Sequence, residues 1–276
     1  MRNYDRLSIL VSIVVLGLAL TFLIRLPARV VQADLFGSPV TITITSRLIM
    51  GLLLSGLTAT GVEYIMRAHP DFGQEDVTLY SFLFWILPTL VTLAAAWFTP
   101  LPLQAGNILA WLAGLAISAI VLSVVIVAEY RTVSQRDSAY TPARLLLNIV
   151  AYLGALVLFT AIYGAKLRSV LSASSVAVVG AILALSLLRA ERQATFRTFG
   201  YAAICGLVLG EATWALNYWG VGGLAGGGLL TLIFYFFTGL SQQRLLGRFS
   251  RPVMIEFSVV GAVGLLLLAT QGALSW

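Results

Sequence analysis

Glu211 is the residue of this chain best placed to do chemistry, because it stands where a charge is most expensive. It lies fourteen residues beyond Arg197 inside an apolar run, roughly 21 Å along a helix that rises about 1.5 Å per residue. In a bilayer that is at or beyond the midplane. An ionised carboxylate there is costly unless it is paired, so Glu211 is expected to face a bundle interior and to find a partner or hold a proton. At helical spacing it shares a face with Leu207, Trp214, Ala215 and Tyr218, while Asn217 falls nearer Gly206 and Gly210. A carboxyl flanked by an indole and a phenol could line a polar pocket. Glu211, Trp214, Tyr218, Asn217 and Trp85 therefore form the candidate ligand-binding set. The plainer reading is a protonated glutamic acid hydrogen-bonded to a neighbouring helix as packing glue.

The other charged residues support less. Arg25, Arg29 and Arg47 cluster around one connecting segment and are candidates for contact with a phosphate or another anionic head group. Glu63, Glu129 and Glu256 fall near ends of apolar runs with arginines close by, where surface pairing or snorkelling accounts for them. Asn148 suits an interhelical hydrogen bond. His69 is the only histidine, so a two-histidine haem site or a histidine-rich zinc site within one chain is excluded. It belongs to the segment Arg67-Ala-His-Pro-Asp, which reads as a helix-ending turn with an exposed structural histidine. Asp71, Glu75 and Asp76 nearby lack an EF-hand pattern. No HExxH, nucleophile elbow or P-loop is present. The single cysteine, Cys205, is expected to be a small buried side chain. No catalytic residue, metal site or cofactor is assigned.

These residues sit in a chain with little charge. Charged residues are 10% of the sequence and hydrophobic ones 59%, with a mean hydropathy of +0.96. A span needs about 20 apolar residues to cross a hydrocarbon core about 30 Å thick. Stretches of that kind recur at 7–24, 48–66, 80–97, 108–127, 144–163, 170–188, 199–219, 224–240 and 253–270. They are continuous rather than alternating, which favours helices over a β-barrel. With the N-terminus inside, inner segments carry 12 arginines, and outer segments carry 5 basic residues, Arg25, Arg29, Arg47, Lys166 and Arg168. The positive-inside rule therefore gives N-in, and nine spans give C-out. Trp97, Trp111, Trp219 and Trp276 all fall at outer interfaces in that threading, where indoles prefer to sit. The first span is expected to be retained rather than cleaved as a signal peptide, since its apolar run is long and Arg25 and Arg29 intervene before Val31-Gln32-Ala33.

Between the first two spans the pattern changes. Val31, Ala33 and Leu35 alternate with polar residues, Gly37-Ser38-Pro39 breaks the chain, and Val40, Ile42 and Ile44 alternate with threonines. That period predicts a short β-hairpin-like first outer loop. Pro88 should kink the third span and leave a carbonyl for a neighbour to satisfy. The uncharged segment 99–106 with Pro100 and Pro102 reads as a short stiff connector. Small residues recur every four positions at Ala110, Gly114 and Ser118, at Ala202, Gly206 and Gly210, and at Gly222/Gly226 and Gly223/Gly227. Such stripes let helix backbones approach closely within the chain, or against a partner. No fixed-period repeat is present.

The fold class read from the sequence is all-α: a polytopic transmembrane helix bundle forming one integral domain over 1–276. The composition, rich in arginine, alanine and leucine, fits a bacterial cytoplasmic (inner) membrane. The basic excess of +6 is spread over short turns, which points to membrane lipids rather than nucleic acid as the counter-charge. The favoured function is a non-catalytic subunit or scaffold that meets other membrane subunits through small-residue faces. Two alternatives stay open. One is a permease or lipid-handling protein with a midplane site around Glu211. The other is an envelope enzyme acting on a lipid-linked substrate, with Asp34 as its acidic residue.

Overall fold

Apolar runs of about twenty residues satisfy their backbone polar groups most economically as helices, and helices make up nearly all of this structure. The computed structural model describes residues 2–21, 27, 29–35, 38–72, 81–134, 136–189, 195–219, 221–247 and the single positions 255, 259, 262 and 266. Among the described residues, seven helices are long and apolar enough to cross a membrane. The chain divides into two compact units, Met1–Leu147 and Asn148–Trp276.

The first unit opens with α1 (Arg2–Leu20), followed by the strands β1 (Arg29–Leu35) and β2 (Ser38–Ile44). The strands pair antiparallel, with Arg29 opposite Ile44 and Leu35 opposite Ser38. Then come α2 (Ser46–Met66), α3 (Leu83–Phe98), α4 (Pro100–Gln104), α5 (Ile108–Arg131) and the first turns of α6 (Tyr140–Gly164). Helix starts follow capping rules: the Thr45 side chain accepts the Leu48 N–H at 3.3 Å, and Asn107 Oδ1 accepts the Ala110 N–H at 2.9 Å. Helix α1 packs on α2 and α5, and α3 packs on both of those. Val14, Leu18, Val62, Met66, Leu122 and Ile126 form the centre of this unit's core.

Pro88 lies in the second turn of α3. The carbonyl to which Pro88 has no N–H to donate is that of Phe84. Just beyond Pro88 the neighbouring helix α2 supplies hydroxyls, Ser55 Oγ donating to the Thr89 carbonyl at 3.3 Å and Thr58 sharing a hydrogen bond of 3.0 Å with Thr92. The segment after α3 is not a plain connector. It holds the short helix α4, with Pro100 at the first helical position, where a missing N–H costs nothing.

The second unit contains the rest of α6, then α7 (Ser169–Leu188), α8 (Thr195–Tyr218) and α9 (Gly223–Leu245). Its contacts are set by glycine. Gly206 and Gly210 of α8 press against Ala177 and Ala173 of α7, and Gly180 of α7 receives Leu209. A methyl group on Gly206 would stand 2.5 Å from the Ala177 carbonyl oxygen, so only glycine fits there. On α9, Gly223 meets Gly164, Gly226 lies against the Tyr163 ring, and Gly227 lies against Thr160. The stripe of Ala110, Gly114 and Ser118 on α5 is different. A Cβ at Gly114 would meet only Thr99, at 4.0 Å, so Gly114 marks no close helix contact.

The first apolar run is helical to Leu20, and residues 22–26 lie outside the described residues. Of the run 253–270, only positions 255, 259, 262 and 266 are described, all four helical. Arg25, Glu75, Asp76, Glu256 and Trp276 also lie outside the described residues.

Candidate functional site

Helix α8 carries most of the candidate set, and its packing decides which way each residue points. The glycine stripe fixes the face that meets α7. Glu211 is one residue, about 100° of rotation, beyond Gly210, and this places it at the edge of the α7–α8 contact. There it is exposed, and together with Trp214 and Leu207 it lines an open groove of about 540 Å³. Opposite on α7 are Val170, Ala173, Ser174 and Ala177, all small or short side chains. This corrects the expectation that Glu211 faces the bundle interior. The close backbone approach of Gly206 and Gly210 leaves no room for a carboxyl between the two helices.

Trp214 and Tyr218 continue the same face one and two turns on. The Trp214 Nε1–H donates to Tyr218 Oη at 3.4 Å, and Tyr218 is 77% exposed. Glu211, Trp214 and Tyr218 therefore form one exposed stripe, an acid followed by two amphipathic rings. Asn217 does not join it. Its side-chain amide donates to Ser172 Oγ on α7 at 2.9 Å, an interhelical bond inside the packing. Trp85 belongs to the first unit, half-buried against that unit's core and 6.5 Å from the Phe82 ring. Ser172 and Ser174 belong to the serine-rich start of α7, Ser169 to Ser175, where small hydroxyl residues read from the sequence as packing positions and do not single out the one that meets Asn217.

The arginine cluster is partly described. The pairing of Arg29 with Ile44 brings its backbone beside the residue three positions before Arg47. Arg29 is exposed, and Arg47 is half-buried in the first turn of α2. Asp34 sits on β1 opposite Pro39.

His69 is not an exposed turn histidine. Its ring stands edge-on to Tyr130, centroids 4.6 Å apart, and its Nδ1 accepts the Asp71 N–H at 3.1 Å. Burial lowers its pKa from the usual imidazole value of 6.5, and the nearby Asp71 and Asp137 only partly oppose that shift. The helix-end acids differ as well. Glu63 pairs with Arg67 at 2.9 Å, whereas Glu129 is fully buried at 0% exposure rather than at the surface. Cys205 is buried, with Sγ 3.8 Å from Ser241 Oγ. The Asn148 Oδ1 has no hydrogen-bond partner among the described residues, so no interhelical bond forms from that atom. Trp97 and Trp219 are exposed at helix ends, and Trp111, in the first turn of α5, is half-buried against the core of the first unit.

Long apolar helices with their large side chains turned outward define the class: this is a membrane protein built from transmembrane helices. The chain belongs to the family described as "Protein of unknown function (DUF5656)", whose model matches residues 26–271. Neither the curated proteins nor the solved structures contain a match to it.

Proposed function

We propose that the protein is a non-catalytic subunit or scaffold of a membrane assembly. It spans the bilayer nine times with its N-terminus inside, as one integral domain in a bacterial cytoplasmic membrane. Glu211 is the observation that carries this reading. An exposed carboxyl within a transmembrane helix costs several kcal/mol in lipid unless something covers it. The groove it lines has small residues on both walls, which lets a further helix approach closely. A partner helix seated there would shield the carboxyl and hydrogen-bond to it.

The groove itself favours a second reading, lipid handling. A volume of about 540 Å³ lined by one acid, one indole and otherwise mostly small or apolar side chains would also hold part of a lipid. One experiment separates the two. The protein is extracted in a mild detergent and analysed by native gel and lipid mass spectrometry, as wild type and as Glu211→Gln. A defined, stoichiometric assembly that loosens in the variant supports the subunit reading. A monomer that carries bound lipid and loses it in the variant supports lipid handling. A monomer without lipid in both forms removes both readings.

A further inference from the structure

The end of α5 and the start of α6, both in the first unit, frame a second open groove, of about 350 Å³. Its lining alternates at helical spacing. Val124, Val127 and Ala128 come from α5, and Ala143 and Leu146 come from α6. Alanines at the facing positions are what leave the gap. Two lining residues are not apolar: Ser123, whose hydroxyl donates to the Ala119 carbonyl of its own helix at 2.7 Å, and Arg131, the last residue of α5, exposed at the end of the groove. From Val124 to Arg131 the helix rises about 10 Å. The groove is thus an apolar channel of about two turns with a guanidinium at one end.

The surroundings keep that charge available. Arg136, in the turn that joins the two helices, is also exposed, and neither arginine is paired with an acid among the described residues. The acid of that turn, Asp137, is engaged with the backbone: its Oδ1 accepts the Ala139 N–H at 2.8 Å. Glu129 is fully buried. A ligand complementary to this surface has an apolar tail and an anionic head with acceptor oxygens that a guanidinium can bind.

We propose that this groove binds one anionic phospholipid, its acyl chain along the α5–α6 lining and its phosphate on Arg131. The chemistry favours a lipid over a free anion, because between Ser123, whose hydroxyl is taken up by its own helix, and Arg131 the lining is apolar. The site shares no lining residue with the groove at Glu211 and does not depend on the subunit reading. In the N-in threading this end of the helices faces the cytoplasmic leaflet, where anionic lipids are enriched.

Native mass spectrometry of the full chain tests the proposal, with equimolar phosphatidylglycerol and phosphatidylcholine in the detergent. The wild type should retain one phosphatidylglycerol in preference to phosphatidylcholine. Arg131→Gln should lower that preference about fivefold, the worth of one basic residue near an anionic surface. Arg131→Lys should keep part of it. Arg197→Gln, an exposed arginine of the second unit, makes the same change in net charge and should leave the preference intact. Glycerophosphoglycerol, the head group without chains, should not be retained. Equal retention of the two lipids overturns the proposal. So does an equal loss in Arg197→Gln, or a preference that survives Arg131→Gln.

Discussion

At the scale of single residues, neighbours distant in sequence set what each group does. His69 is held between burial, which disfavours its charged form, and the carboxylates of Asp71 and Asp137, which favour it; burial wins. The folded imidazole therefore takes up its proton at a lower pH than the unfolded chain does. Between the usual value of 6.5 and the lowered one, the unfolded state holds more protons, so stability rises with pH across that window. The contribution is complete above the usual value and is lost as pH falls through the window. Thermal unfolding in detergent, followed from about pH 7.5 to about pH 5, should show a falling midpoint, with a shallower fall in His69→Gln. Equal slopes in the two proteins would show that the imidazole is not involved. None of this was legible in the sequence, where Arg67-Ala-His-Pro-Asp looks like a solvated turn. The burial comes from Tyr130, some sixty positions away. Glu211 illustrates the same limit differently. Its depth along α8 can be counted from Arg197, but its direction depends on which face of α8 meets α7. The Gly206–Gly210 stripe held that information, and reading Glu211 against the stripe places it at the contact edge.

At the scale of helices, the apolar runs were readable because twenty residues without charge leave the backbone few alternatives. Contacts between helices were only half readable, since a stripe of small residues permits close approach without requiring it. The structure separates the two cases. Gly206 meets the Ala177 carbonyl, whereas a Cβ at Gly114 would meet only Thr99, at ordinary van der Waals distance. Gly206→Leu should therefore force α7 and α8 apart and destabilise the protein by about 1–3 kcal/mol, the usual scale of overpacking. Gly114→Leu should change stability by less than about 0.5 kcal/mol, as expected away from any tight contact. Denaturant titration of the helical signal in micelles compares them directly, and equal losses would contradict the packing. Hydroxyl pairs across α2 and α3 make a smaller contribution. Thr58 and Thr92 bond at 3.0 Å beside the turn that Pro88 interrupts. A double-mutant cycle with Thr58→Val and Thr92→Val should give a coupling near the membrane-protein average of about 0.6 kcal/mol. A coupling of zero would mean that each hydroxyl is satisfied by its own helix, since Thr58 also bonds the Leu54 carbonyl and Thr92 the Pro88 carbonyl.

At the scale of the whole molecule, charge is the one property that assigns a side to each turn. The proposed threading places Arg67, Arg131, Arg136 and Arg189 on the inside, and Lys166 and Arg168 on the outside. It also places Gln104, at the end of α4, outside. The positive-inside rule works through many small contributions from basic residues close to the helix ends. A 12-to-5 distribution should therefore orient the chain as a whole even though Arg25, Arg29 and Arg47 oppose it. Single cysteines provide the measurement, in a Cys205→Ser background, where the one native thiol is removed from a buried site. Intact cells are treated with a membrane-impermeant maleimide. Gln104→Cys and Lys166→Cys should label at once, while Arg136→Cys should label only after permeabilisation. The reverse pattern would invert the molecule and move the groove at Arg131 to the outer leaflet. Labelling of Gln104→Cys and Arg136→Cys from the same side would be more damaging. These two positions flank α5, so that result would mean that its 24 residues do not cross the bilayer, and the alternation assigned to every later helix would fail with it.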